Sequence, residues 1–289
     1  MMNTLVTEKA FAKINLGLKI LGKRPDGYHE ICSLVQTVNL SDLIHFRIAD
    51  STSLSCSDQA VPVDGKNLIQ KAVDLFFENI DTPRRHYEID LEKIIPVGAG
   101  LGGGSSDAAA TLRCLNQLND YPFDAENLRL LGAQLGSDVP FLVEGGTAVM
   151  RGRGEKINQV LWPHDIYYAL VYPNVAVSSS WAYQQIGSDL TENHRYINIM
   201  SSLSGGCIDL WDLLKCLEND FIPIVENAYP IVATIRSRLQ SAGALISSLS
   251  GSGSTIYGLF DDRNAALKAC YELRERGYRS FFCQPLSLQ

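Results

Sequence analysis

The residues with the greatest capacity for chemistry lie in one stretch, Pro96-Val97-Gly98-Ala99-Gly100-Leu101-Gly102-Gly103-Gly104-Ser105-Ser106-Asp107. Five of the seven residues from Gly98 to Gly104 are glycine. Glycine is costly to order and enters backbone conformations that other residues avoid, so a dense cluster marks a place where something approaches the backbone closely. Ser105, Ser106 and Asp107 are helix-starting residues, and Ala108-Ala109-Ala110-Thr111-Leu112 is a good helix former. A glycine loop that feeds a helix N-terminus offers free N–H groups and the positive end of the helix dipole, which together bind anions such as phosphate. A flexible linker would not run straight into so strong a helix signal. Gly98, Gly100 and Gly103 satisfy the literal pattern G-x-G-x-x-G, but the acid that a dinucleotide fold needs about 20 residues on is poorly placed. Asp120 falls in a turn beyond the helix, not at the end of a second strand. No lysine follows the last glycines as in a P-loop, and the H-R-D and D-F-G sets of protein kinases are absent.

Other groups could serve such a loop. Lys13 and Asn15 alternate with Ile14 and Leu16, so they share one face of a strand. On that segment alone, Lys13 reads as an ordinary solvated lysine. Tyr28 and His29 follow the turn Arg24-Pro25-Asp26-Gly27, either as surface residues or as a recognition edge for a ring or polar head group. Asp138, in Gly136-Ser137-Asp138-Val139-Pro140, sits where a helix gives way to an extended segment and reads as a turn or capping aspartate. Leu249-Ser250-Gly251-Ser252-Gly253-Ser254-Thr255 is a second glycine–serine loop.

The positioning elements follow from periodicity. Residues 10–20 alternate as a strand with one buried face, and strands are expected at 32–40, 43–48, 87–95, 145–150, 167–172, 244–249, 256–260 and 280–283. Helices are expected at 67–77, from the glycine loop to about 118, at 125–135, as a short turn entered at Ser178–Tyr183, and near 211–218, 228–242 and 264–276. Residues 187–206 are polar and read as a mobile segment. The order of elements in the second half, strand, helix, helix, strand, strand, helix, strand, indicates an α+β sandwich. A boundary near 155–165 divides the chain into domains of 1–160 and 161–289.

Composition sets outer limits. The 289 residues, 46% hydrophobic and 20% charged, describe a globular protein of one large or two ordinary domains. A net charge of −7 lacks the basic footprint of nucleic-acid binding, while a glycine loop and a few lysines can still reverse the field inside one cleft. Cys32, Cys56, Cys114, Cys207, Cys216, Cys270 and Cys283 are odd in number, widely spaced and without a CxxC. They read as reduced thiols, which with the absence of a secretory signal points to the cytoplasm. No apolar run approaches a membrane span.

Three stretches then carry a resemblance. Lys13-Ile14-Asn15-Leu16, Pro96 to Ser106 with Asp107-Ala108-Ala109, and Leu249-Ser250-Gly251-Ser252-Gly253 resemble, in order, the three motifs of the GHMP kinases. Arg24 to His29, Gly136 to Phe141 and Gly145-Gly146-Thr147-Ala148 narrow the likeness to a branch acting on a cytidyl diphosphate alcohol. The resemblance covers nearly the whole chain. It implies an α+β two-domain fold with a ferredoxin-like C-terminal domain and the active site in the interdomain cleft. It implies ATP and Mg²⁺, transfer of the γ-phosphoryl group to the 2-hydroxyl of a methylerythritol unit for isoprenoid precursors, and a monomer or weak homodimer. Asp138 falls on the catalytic aspartate and Lys13 on the catalytic lysine. Pro96, Val97, Gly98, Ala99, Gly100, Leu101, Gly102, Gly103, Gly104, Ser105 and Ser106 fall on the nucleotide loop. Asn15, Tyr28 and His29 fall on substrate-side positions, and Tyr183 on an aromatic that stacks on cytosine. No metal ligand is assigned.

Overall fold

A computed structural model describes residues 5–162, 165–187, 194–203 and 210–288. The first half forms a six-stranded sheet from β1 (Leu5–Lys23), β2 (His29–Ala49), β3 (Ser53–Cys56), β4 (His86–Glu92), β5 (Thr147–Gly152) and β6 (Lys156–Gln159). The helices α1 (Leu68–Glu78), α2 (Gly103–Leu118), α3 (Ala125–Leu135) and α4 (Val139–Glu144) accompany it. The second half contains β7 (Tyr167–Tyr172), α5 (Ser179–Gln184), α6 (His194–Leu203), α7 (Leu210–Leu214), α8 (Ile222–Ala228), α9 (Ile231–Ser241), β8 (Ile246–Leu249), β9 (Ile256–Phe260), α10 (Arg263–Arg274) and β10 (Arg279–Cys283). Its four strands pair antiparallel in the order β10-β7-β9-β8, the order of a ferredoxin-like sheet.

β2 is the spine of the larger sheet. It pairs antiparallel with β1 along nearly its whole length, with β4 at one end and with β5 at the other. Two register shifts in the β1–β2 ladder, at Phe11/Lys13 and Asn15/Gly17, bracket Lys13 and Asn15. Such irregularities bend a strand and re-aim its side chains. Helices α1 and α2 carry apolar residues at helical spacing. They bury Ile69, Val73, Phe76, Leu112 and Leu115 against Ile44, Phe46, Ile89 and Leu91 of the sheet. A second core cluster joins the halves: Ile14 and Leu16 of β1 pack with Tyr168 of β7, Tyr257 of β9 and Tyr196 of α6. The Tyr257 hydroxyl donates to the Leu16 carbonyl at 2.6 Å.

Several expectations change. The strands expected at 32–40 and 43–48 are one strand. β3 and β6 were not anticipated. The segment after Val139-Pro140 is helical, not extended, because proline is tolerated in a first helical turn where its missing N–H leaves no bond unmade. The helix expected near 228–242 is α9, that near 211–218 is the shorter α7, and α8 between them was not expected. Within 187–206, residues 194–203 form α6, while 188–193 and 204–206 lie outside the described residues. No described helix is long and apolar enough to cross a membrane.

Candidate active site

The glycine loop connects β4 to α2 at the floor of a cleft of about 1060 Å³ between the two halves. Gly98, Gly100 and Gly102 have φ of +66°, +78° and +70°, a region that L side chains rarely enter. Close approach explains the rest. A Cβ on Gly100 would collide with the Ser250 carbonyl and lie 2.8 Å from that of Gly253; on Gly102 it would lie 3.0 Å from Lys13 Cγ. The first glycine loop is therefore seated on the second, and Ala99 O accepts from Thr255 N at 3.1 Å. No side chain caps α2, so the N–H groups of its first turn are left for a ligand. Ser106 donates to the Phe11 carbonyl at 2.5 Å. The Ser105 hydroxyl, on the cleft wall, has no protein partner among the described residues.

Lys13 and Asn15 are 5% and 4% exposed, not solvated as the strand pattern alone implied. Lys13 Nζ donates to Asn15 Oδ1 at 2.6 Å and lies 3.3 Å from Asp138 Oδ2. Asn15 is held in turn: its Nδ2 donates to Ser33 Oγ at 2.8 Å, and its backbone N–H to Ser250 Oγ at 3.2 Å. Asp138 occupies the N-cap position of α4, yet its side chain makes no capping bond. Its carboxylate, with the side chain 34% exposed, faces the cleft beside the ammonium. That geometry removes the capping reading of Asp138 and provides a proton acceptor next to a fixed positive charge.

At the other end of the cleft, Tyr28 is 52% exposed. Asp26 Oδ1 accepts the Tyr28 N–H at 3.1 Å, and Tyr28 O accepts the Arg24 N–H at 2.8 Å. His29 and Tyr183 stack at 5.0 Å and 23°, and Phe221 meets Tyr183 edge-on at 4.9 Å. Tyr183 therefore lies on His29, and Tyr28 stands apart on the same cleft. Burial, helped by the Lys23 charge, lowers the His29 pKa and favours the neutral ring. Burial and the nearby Asp138 charge push the Tyr183 hydroxyl up to about 12.

One cluster escaped the sequence reading. Lys93 Nζ lies between Asp42 Oδ2 at 2.5 Å and Asp107 Oδ2 at 2.7 Å, all three deeply buried beside the loop. Asp42 Oδ1 also accepts from Ile94 N and Ile95 N. Burial lowers the Lys93 pKa, but the two carboxylates outweigh it and the net shift is upward. Asp107 is pushed up to about 7, by burial first and by Asp42, against the pull of Lys93. Lys93 Nζ would lie 3.0 Å from a Cβ on Gly103, so the triad braces the start of α2 from behind.

A fold with this cleft is shared by small-molecule kinases. Residues 67–146 match the GHMP kinases N terminal domain and residues 188–279 the GHMP kinases C terminal domain. A crystal structure of 4-(cytidine 5'-diphospho)-2C-methyl-D-erythritol kinase superposes with a TM-score of 0.77 at 31% identity, covering 97% of this chain and 99% of that one. Homoserine kinase from Cytophaga hutchinsonii superposes at 0.76 with 20% identity over 100% and 96%, a likeness of fold alone. The 4-diphosphocytidyl-2-C-methyl-D-erythritol kinase of Gloeobacter violaceus is 40% identical over 96% of this chain and 93% of its own. That of Chlorobium phaeobacteroides is 37% identical over 96% and 94%. The chain belongs to the 4-diphosphocytidyl-2-C-methyl-D-erythritol kinase family of the GHMP kinases. It is a kinase, with ATP as co-substrate.

Proposed function

We propose that the protein transfers the γ-phosphoryl group of ATP to the 2-hydroxyl of 4-diphosphocytidyl-2-C-methyl-D-erythritol in isoprenoid precursor synthesis. The observation that carries this reading is the Lys13–Asp138 pair, 3.3 Å apart, beside an uncapped helix N-terminus in a cleft of nucleotide size. Asp138 takes the proton of the substrate hydroxyl, that oxygen forms the new bond to the γ-phosphorus, and the bond to the β,γ-bridging oxygen breaks to release ADP. Lys13 orients Asp138 and neutralises the transferring oxygens, and Asn15 keeps its ammonium in place. Pro96 to Ser106 hold the phosphates. Phosphoryl transfer needs mainly such positioning and charge stabilisation.

The donor set fits Mg²⁺. No described cluster of three acidic, histidine or cysteine groups exists to cage a metal, and Mg²⁺ in kinases needs none, since substrate phosphates and water complete its shell. The unpartnered Ser105 hydroxyl, at the start of α2 on the cleft wall, would hold it together with substrate phosphates and water. When bound, it would supply neutralisation of the charge on the nucleotide phosphates.

Tyr28, His29 and Tyr183 receive the cytidine, with the ring faces stacking on the base and neutral His29 able both to donate and to accept at its polar edge. The boundary between the domains falls at 160/161, between β6 and β7, and the protein works in the cytoplasm as a monomer or weak homodimer. Incubation with Mg-ATP and a panel of alcohols tests the reading. ADP release is expected with 4-diphosphocytidyl-2-C-methyl-D-erythritol. Release with homoserine or mevalonate instead would replace the substrate, and no turnover with any alcohol would remove the enzymatic reading of this cleft.

A further inference from the structure

The β5–β6 hairpin tip reaches the substrate end of the cleft, and nothing in the mechanism above uses it. Its turn is tight: Gly152 and Gly154 have φ of +73° and +119°, and Arg153 N donates to Glu155 Oε2 at 2.7 Å. Glu30 ties this tip to the Tyr28 turn. One of its oxygens accepts from Gly152 N at 3.1 Å and the other from Arg24 Nη1 at 2.6 Å. Arg153 is thereby delivered onto Tyr28, with its guanidinium carbon 5.1 Å from the ring centroid. No carboxylate lies within ion-pair distance of Arg153 among the described residues, and its side chain is exposed at the cleft wall. Behind it opens a side cavity of about 330 Å³, bounded by Tyr28, Gly136, Ser137 and Glu155. Without Arg153, the half-exposed Tyr28 ring would be free to tilt into that space.

We propose that Arg153 is a specificity-determining positioning residue, which holds the Tyr28 ring by a cation–π contact so that only its other face is offered to the pyrimidine. The assignment rests on the cytidyl-substrate reading above. A guanidinium over a ring face attracts it electrostatically, and more so when ligand covers the pair and excludes water. The contact also fixes beforehand a ring that would otherwise lose its freedom on binding, and such preorganisation strengthens binding without touching the ligand. The effect falls on the cytidyl substrate and not on the phosphoryl donor, whose loop belongs to another part of the chain.

Steady-state kinetics with 4-diphosphocytidyl-2-C-methyl-D-erythritol and Mg-ATP test it. Arg153→Gln is expected to raise KM for the cytidyl substrate about three- to tenfold, the range of a cation–π contact at a partly covered site. The kcat and the KM for ATP stay within about twofold, and Arg153→Lys recovers part of the loss because it keeps the cation. In a Tyr28→Ala background, Arg153→Gln should have almost no further effect, since the ring on which it acts is gone. Full additivity in that background would mean that Arg153 meets the substrate directly and would overturn the proposal. An unchanged KM in Arg153→Gln, or an equal loss for ATP with a lowered melting temperature, would also overturn it. Absence of wild-type turnover would overturn the cytidyl reading itself, and the assignment with it; turnover with an unaffected KM removes only the assignment.

Discussion

Replacing Gly100 by alanine tests whether the two glycine loops must be seated on each other. The residue has φ of +78°, where an L side chain costs about 1–2 kcal/mol. The added Cβ would collide with the Ser250 carbonyl and approach that of Gly253 to 2.8 Å. These neighbours are backbone, held by the Ser250 N to Thr255 O and Gly253 N to Ser250 O bonds, so they cannot swing aside as a side chain would. Overpacking of this kind costs about 1–3 kcal/mol more. The sum of about 2–5 kcal/mol predicts a melting temperature lower by roughly 3–8 °C for a chain of this size. Any backbone shift that relieves the clash moves the phosphate-binding peptides, and a displacement of about 1 Å lowers turnover by on the order of 100-fold. Gly104→Ala is the control. There the Cβ would meet only Leu68 Cδ1 at 3.8 Å in ordinary helical backbone, and alanine improves helix propensity by up to about 1 kcal/mol. Calorimetry should show Gly104→Ala at or above the wild-type melting temperature. A Gly100→Ala protein that melts within a degree or two of wild type and retains its turnover would refute the argument that the loops are interlocked.

Three further outcomes follow from the same geometry. Tyr28→Ala should raise KM for the cytidyl substrate about five- to 150-fold, the equivalent of about 1–3 kcal/mol for a stacked base; an unchanged KM in steady-state kinetics removes the ring from the binding site. Asp107 has a folded pKa of about 7 against 3.8 for the free side chain, so folding takes up a proton between those values. Its contribution to stability is complete below 3.8 and is lost as pH rises through about 7. Melting temperatures of wild type should therefore fall relative to Asp107→Asn between pH 5 and 8, and a constant gap would show that Lys93 keeps the carboxylate ionised throughout. Lys13→Met should lower kcat while ATP affinity, read by equilibrium titration, changes much less; collapse of ATP binding would make Lys13 a nucleotide-loop support.

Local pattern was enough for the glycine loop, for α2 and for β1, because five clustered glycines, a run of alanines and period-two alternation are signals carried within a dozen residues. It failed where distant segments decide. Ser41-Asp42 read as a break between two strands, but the buried Asp42 accepts from Ile94 N and Ile95 N and pairs with Lys93, 51 residues away, so β2 runs through. The Lys93–Asp107 pair joins the end of one element to the start of the next across the loop, and neither residue type marks itself out at either place. Lys13 read as a surface lysine because nothing in β1 shows that Gly102, Asp138 and Asn15 close around it. The aromatic end was legible as residue types, but not in its pairing. His29 lies on Tyr183, while Tyr28 lies under Arg153 from a hairpin more than 100 residues downstream.

The most direct test of the Lys13–Asp138 centre is phosphoryl transfer by Asp138→Asn, followed as ADP and phosphorylated 4-diphosphocytidyl-2-C-methyl-D-erythritol formed under saturating substrates, with ATP affinity measured on the same protein. The amide keeps the shape of the side chain and cannot accept the proton. Loss of about 10²- to 10⁴-fold in kcat, with ATP affinity nearly intact, is the predicted result. Near wild-type turnover, or loss of ATP binding together with turnover, would contradict the assignment of Asp138 as the general base.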